Sequence, residues 1–81
     1  MIRVSAARPL ENYKLMITFT NGEKRIFDMS SKLNLPIFEP LKDKTLFEKV
    51  KVSCGTIEWN DDIDYCPDCI YKESIPIENI N

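Results

Sequence analysis

The sequence predicts an α+β fold: a small, mainly antiparallel sheet, built as a meander plus a second hairpin, with short helices packed on it. Three observations predict it. Leu15, Ile17 and Phe19 alternate with Met16, Thr18 and Thr20, the period-2 pattern of a strand with one buried face. Asn21-Gly22 then separates that run from Arg25-Ile26-Phe27, so two β-prone stretches meet at a hairpin turn. A second hairpin signal follows, with Val50 and Val52 before Cys54-Gly55 and Thr56-Ile57-Glu58-Trp59 after it.

The elements can be justified in chain order. Ile2-Arg3-Val4-Ser5-Ala6 reads as a first strand with Ile2, Val4 and Ala6 inward, ended by Pro9, which lacks a backbone donor. Leu10-Glu11-Asn12 turns the chain into the hairpin. A two-residue loop would set Ile17 opposite Ile26, whereas a three-residue loop with Gly22 left-handed sets Leu15 opposite Phe27. The second register is preferred because it pairs two large apolar residues and leaves Glu23 and Lys24 at the tip.

After Asp28-Met29, Ser30 and Ser31 are N-cap residues, but Pro36 and Pro40 allow no more than one helical turn through Lys32 to Leu35. Leu35, Ile37, Phe38 and Leu41 then crowd a short stretch and are expected to cover the open face of the sheet. Asp43 should cap a helix from Lys44 to Lys49 that turns Leu46, Phe47 and Val50 to the core. Beyond the second hairpin, Asn60-Asp61-Asp62 reads as a turn and Ile63 with Tyr65 as a short edge segment. Pro67 suits the first position of a final helical turn that docks Ile70 and leaves Tyr71 at the rim. Residues 1–74 are thus expected to form one domain, with 75–81 a poorly ordered tail unless Ile75 and Ile77 find a partner.

Bulk properties narrow the function classes. At 81 residues the chain supports a single core, burying roughly 60% of its unfolded surface. With 43% hydrophobic and 30% charged residues it has the composition of a folded soluble domain, and no apolar run is long enough to span a membrane. No signal-type apolar stretch opens the chain, so the cytoplasm is the expected address. A net charge of −2 offers no global attraction to nucleic acid or anionic lipid.

Several constellations invite chemistry. Cys66-Pro67-Asp68-Cys69, with Cys54 upstream, supplies three sulfur ligands, but a structural zinc site wants four and the chain contains no histidine. A redox reading places Cys66 just before a helix, where the dipole favours the thiolate. Asp62, Asp64 and Asp68 argue against it by raising a nearby thiol pKa. The acidic set Glu58, Asp61, Asp62, Asp64 and Asp68 lacks EF-hand spacing and reads more simply as turns and caps. Without histidine, the common nucleophilic triads are excluded. Lys42, Lys44, Lys49 and Lys51 surround Phe47, a pattern better explained by a solvated helix over a core aromatic than by a nucleic-acid platform.

A resemblance covers nearly the whole chain. Leu15-Met16-Ile17-Thr18-Phe19-Thr20-Asn21-Gly22-Glu23, Phe27-Asp28-Met29, Phe38, Leu41, Phe47, Val50, Gly55-Thr56-Ile57-Glu58-Trp59, Asp64, Pro67-Asp68 and Ile70-Tyr71 together resemble the DUF2442 family of small prokaryotic proteins. The resemblance implies an α+β domain with no established enzymatic activity. It also implies relatives fused to a C-terminal helix-turn-helix, and others encoded in pairs that resemble toxin–antitoxin modules. The cysteines are not part of that pattern, and it supplies no functional residues to carry over.

The reading that follows is a non-enzymatic protein-interaction module with no cofactor. It would act through a sheet edge or through apolar surface at Leu35, Ile37, Phe38 and Leu41, toward a protein partner or a second copy, and could be the antitoxin-like half of a pair. Alternatives are a metal- or redox-active domain using Cys66 and Cys69, with Cys54 as a further metal candidate, and a nucleic-acid-associated regulator. Nucleic-acid binding by this chain alone and membrane association are not expected.

Overall fold

A computed structural model describes residues 2–60 and 63–77. Strands β1 (Val4–Leu10), β2 (Lys14–Phe19), β3 (Lys24–Asp28) and β7 (Ile75–Pro76) form one antiparallel sheet in the order β1-β2-β3-β7. Strands β4 (Lys51–Ser53), β5 (Thr56–Asn60) and β6 (Ile63–Tyr65) form a second, in the order β4-β5-β6. Helices α1 (Lys44–Phe47) and α2 (Pro67–Glu73), with 3-10 segments at Glu11–Tyr13, Ser30–Lys32 and Pro36–Lys42, connect them. The α+β class, the meander and the second hairpin are those the sequence predicts. Among the described residues, no helix is long and apolar enough to cross a membrane.

The β2–β3 register is the apolar one, with Leu15 opposite Phe27. Gly22 makes this possible by adopting φ +89, which lets the Phe19 amide reach the Glu23 carbonyl at 2.8 Å across the loop. Leu15, Ile17 and Phe19 are then buried on one face. At the β4–β5 turn Cys54 and Gly55 both take positive φ, 54 and 79, and Arg3 packs against Gly55 so closely that a Cβ there would lie 2.8 Å from its Cδ.

Strand β1 departs from the expected pattern twice. Val4 opposes Phe19 but Ala6 opposes Thr18, so an extra residue at Ser5 flips the alternation. Val4 is consequently buried, Ala6 is exposed, and Ala7 turns inward in its place. Pro9 does not end the strand either; it pairs with Leu15 within β1. Because β1 is the outermost strand of its sheet, a residue without a donor is tolerated there.

Other connections follow local chemistry. Asp43 caps α1 by accepting the Thr45 amide at 3.0 Å. At Ser30–Lys32 the stabilising acceptor is Asp28, whose carboxylate receives the Ser30 amide at 2.9 Å and hydroxyl at 2.6 Å, so Ser30 donates where it was expected to cap. Pro67 occupies the first turn of α2, Ile70 is fully buried, and Tyr71 lies at the rim. Residues 75 and 76, read from sequence as the start of a loose tail, instead pair with β3, Ile75 against Ile26 and Pro76 against Arg25. The Asp61-Asp62 part of the predicted turn, and residues 78–81, lie outside the described residues.

One core runs through both sheets. Val4, Leu15, Ile17, Phe19 and Phe27 from the first sheet meet Ile57 and Trp59 from the second, closed by Met29, Leu33, Phe38, Leu41, Phe47 and Ile70. Burial of each such side chain stabilises by about 1.5–3 kcal/mol. The sheets are also tied by the Val4 amide, which donates to the Gly55 carbonyl at 2.8 Å. The Trp59 indole donates at 2.9 Å to the Phe47 carbonyl, which also accepts the Val50 amide at 3.3 Å at the end of the short α1.

Candidate interaction surface and thiol pair

The segment between the two sheets is stiffened by its prolines. Pro36 enters a 3-10 turn where no donor is needed, and Pro40 continues it. Phe38 and Leu41, one 3-10 turn apart, share the inner face and are buried, at 6% and 0% exposure. Phe38 meets the Tyr65 ring at 5.5 Å, and Tyr65 also meets Phe27 edge-on at 5.2 Å. Leu35 and Ile37 face outward, at 48% and 54% exposure. The structure therefore divides the four residues singled out from sequence. Phe38 and Leu41 are core residues that anchor the segment, and Leu35 and Ile37 are left as its apolar outer edge.

Beside this segment, Glu73 of α2 forms an ion pair with Lys32 and accepts the Tyr65 hydroxyl at 3.3 Å. The Glu73 carboxylate is also the main reason the Lys32 pKa lies above its ordinary value. Burial, partly opposed by Lys32, pushes the Tyr65 hydroxyl up.

A polar cluster that the sequence does not announce closes the same C-terminal end of α2. Arg25 lies over the Tyr71 ring, 4.0 Å from its centroid, and its Nη1 donates to the Tyr71 and Ser74 carbonyls at 3.3 and 3.0 Å. Glu23 accepts the Tyr71 hydroxyl, the Asn21 amide at 2.7 Å and Arg25 Nη2 at 3.3 Å. Tyr71 first, then Asn21, holds the Glu23 carboxyl below its ordinary value. Glu23 and Arg25 sit two apart on β3's side of the hairpin and could be expected to share a face. Their partner Tyr71 is far away in sequence and has no local signal.

The three cysteines are free and exposed. Cys54 occupies the β4–β5 turn, while Cys66 is the N-cap of α2 and Cys69 lies in its first turn. The amide of Cys69, then that of Asp68, then the Cys69 thiol, favour the Cys66 thiolate and lower its pKa; the Asp68 carboxylate opposes them as the weakest influence. These amides approach the sulfur without closing a capping hydrogen bond. Cys69 is shifted the opposite way, chiefly by Cys66 beside it. The Asp68 carboxylate thus acts on Cys66 in the expected direction, raising its pKa, but the two amides outweigh it. Among the described residues no three Cys, Asp or Glu side chains gather as metal ligands.

Of the remaining candidates, Glu58 and Asp64 are cross-strand partners in the β5–β6 pair. Of the acidic set, Asp61 and Asp62 lie outside the described residues, and Asp68 sits in the first turn of α2. Lys42, Lys44, Lys49 and Lys51 are exposed, but Phe47 among them is 1% exposed and cannot stack on a base. A recess of about 190 Å³ lies between Leu10, Asn12, Tyr13, Lys44 and Phe47, and a wider one of about 460 Å³ between Asn21, Gly22, Glu23, Lys24 and Ile77.

Comparison with known proteins places this geometry. The family described as "Protein of unknown function (DUF2442)" matches residues 4–76. The fold also matches a crystal structure from Nitrosomonas europaea ATCC 19718, named a "Putative DNA Binding Protein", with a TM-score of 0.81 and 26% identity over 91% of this chain. The match takes in 49% of that protein, so this chain spans about half its length. No curated protein matches the chain.

Proposed function

Because the chain belongs to the DUF2442 family, a family of unknown function, we propose a reading from its surface: a non-enzymatic, cytoplasmic protein-interaction module that binds a second protein chain through Leu35 and Ile37. The observation that carries it is the opposed burial within one stiff segment. Phe38 and Leu41 fix the backbone in the core while Leu35 and Ile37, about half exposed, project from it. Two proline rings restrict the segment before any partner arrives, so ordering it on binding costs little.

A sheet edge is the weaker route. The outer strands of the first sheet, β1 and β7, contain Pro9 and Pro76, residues that blunt an edge against an added strand. A second copy of the chain is the simplest partner, and the antitoxin-like half of a protein pair is the form with a different one.

Sedimentation velocity over a concentration series, alone and with co-expressed neighbouring gene products, tests this reading. Leu35→Glu with Ile37→Glu should leave the circular dichroism spectrum unchanged and weaken association at least tenfold, about 1.4 kcal/mol. A folded double variant that associates as tightly as the parent would overturn it.

The name of the Nitrosomonas structure favours a second reading, in which the domain serves a DNA-binding protein. With a net charge of −2, direct contact would need a local basic patch, for which Lys42, Lys44, Lys49 and Lys51 are the sequence candidates. Such contact predicts retention on DNA that falls steeply with salt, and flow-through at low salt removes this reading for the domain by itself.

A further inference from the structure

We propose that Cys66 and Cys69 form a reversible dithiol–disulfide pair that exchanges with low-molecular-weight disulfides of the glutathione type. Pairing carries the inference. The two residues are three apart, across the N-cap and first turn of α2, a spacing that sets their side chains on the same side of the helix start. Both are exposed and free, so an attacking disulfide can reach them, and neither occupies the core that α2 contributes through Ile70.

The local environment assigns different tasks to the two sulfurs. Amides of Cys69 and Asp68 favour the thiolate at Cys66, while Cys69 beside it is shifted toward the protonated form. Cys66 is therefore the entering nucleophile and Cys69 the resolving one. The Cys66 thiolate attacks one sulfur of glutathione disulfide; that S–S bond breaks and one glutathione thiolate leaves. The Cys69 thiol releases its proton to water, and its thiolate attacks Cys66 Sγ, expelling the second glutathione. The protein loses two electrons and two protons, and one glutathione disulfide becomes two glutathione molecules. Cys54, exposed in a different turn, is an internal control.

The test uses the full chain in buffers of fixed glutathione to glutathione disulfide ratio at pH 7, with acid quenching, alkylation and peptide mass mapping. A Cys66–Cys69 bond should accumulate as the buffer becomes oxidising and be reversed by dithiothreitol, with Cys54 still alkylatable. Cys69→Ser should stop the reaction at a glutathione adduct on Cys66. In the folded protein iodoacetamide should modify Cys66 about threefold or more faster than Cys54, and urea should erase the difference. Because these thiols are exposed, circular dichroism of Cys66→Ser and Cys69→Ser should match the parent. Glutathione adducts without an internal bond in the parent, pairing to Cys54, or equal rates for Cys66 and Cys54 would each overturn the proposal.

Discussion

Glu23 illustrates how one carboxylate becomes structural without being buried. Its charge is held by the Tyr71 hydroxyl, the Asn21 amide and Arg25, so its folded pKa lies below the ordinary value of 4.5. A depressed carboxyl pKa contributes stability that is complete above the unfolded value and is lost as the pH falls through the folded one. Asp28, held low chiefly by the Ser30 hydroxyl, contributes with the same sign from its ordinary value of 3.8. Acid denaturation should therefore steepen below about pH 4.5. Glu23→Gln should flatten that limb, and Tyr71→Phe should move the Glu23 carboxyl resonance midpoint upward in an NMR titration. An unchanged midpoint in Tyr71→Phe would remove Tyr71 as the main cause. Residue chemistry that acts over one or two positions was legible beforehand: Gly22 in the loop, Asp43 at its cap, Pro67 at its helix start. The left-handed Asn12 and Tyr13, at φ 62 and 60, were not. Asn tolerates that conformation, but for Tyr13 it costs about 1–2 kcal/mol and is held from elsewhere, by the Tyr13 hydroxyl on the Lys42 carbonyl and the Tyr13 ring against Phe47.

At the scale of elements, α2 and β7 depend on a side chain from β3. Arg25 joins the C-terminal end of the helix to the strand that follows, its side chain only 14% exposed, and among the described residues its buried Nε finds no partner. Hydrogen bonds from a charged group of this kind contribute about 1.5–3 kcal/mol. Arg25→Ala should cost about 2 kcal/mol in urea denaturation. It should also speed hydrogen exchange at the Ser74 amide, which donates to the Ile70 carbonyl at 2.9 Å. Arg25→Lys should recover less than half of the loss, because an ammonium cannot reach two carbonyls while lying flat on the Tyr71 ring. Full recovery by lysine would show that charge alone suffices. The element itself was legible as a helical turn through Ile70. Its continuation into β7 was not, since a two-residue strand carries no periodicity and exists only because β3 offers an open edge.

For the whole molecule, the decisive feature is a core shared by two sheets. Phe47 and Trp59 mark the join, their rings stacked with centroids 6.1 Å apart, and the indole donates to the Phe47 carbonyl. Phe47→Ala should cost about 3–5 kcal/mol, whereas Ile37→Ala, on the outer edge of the proline-stiffened segment, should stay within about 0.5 kcal/mol. Urea unfolding followed by Trp59 fluorescence measures both. A large loss for Ile37→Ala would return that residue to the core and remove half of the proposed contact surface.

The sequence by itself determined strands β2 to β6, the hairpin turns, the α1 cap and the apolar positions of β2, because period-2 alternation and turn chemistry act through adjacent residues. Tertiary structure decided which of Leu35, Ile37, Phe38 and Leu41 is surface and which is core. All four are apolar and closely spaced, and only the position of Tyr65 and Phe27 relative to a 3-10 turn separates them. It likewise decided that Ser5 flips the face of β1 and that Tyr71 meets Glu23 and Arg25. Each of these depends on where distant segments come to lie when one core must satisfy two sheets, and no local pattern encodes that.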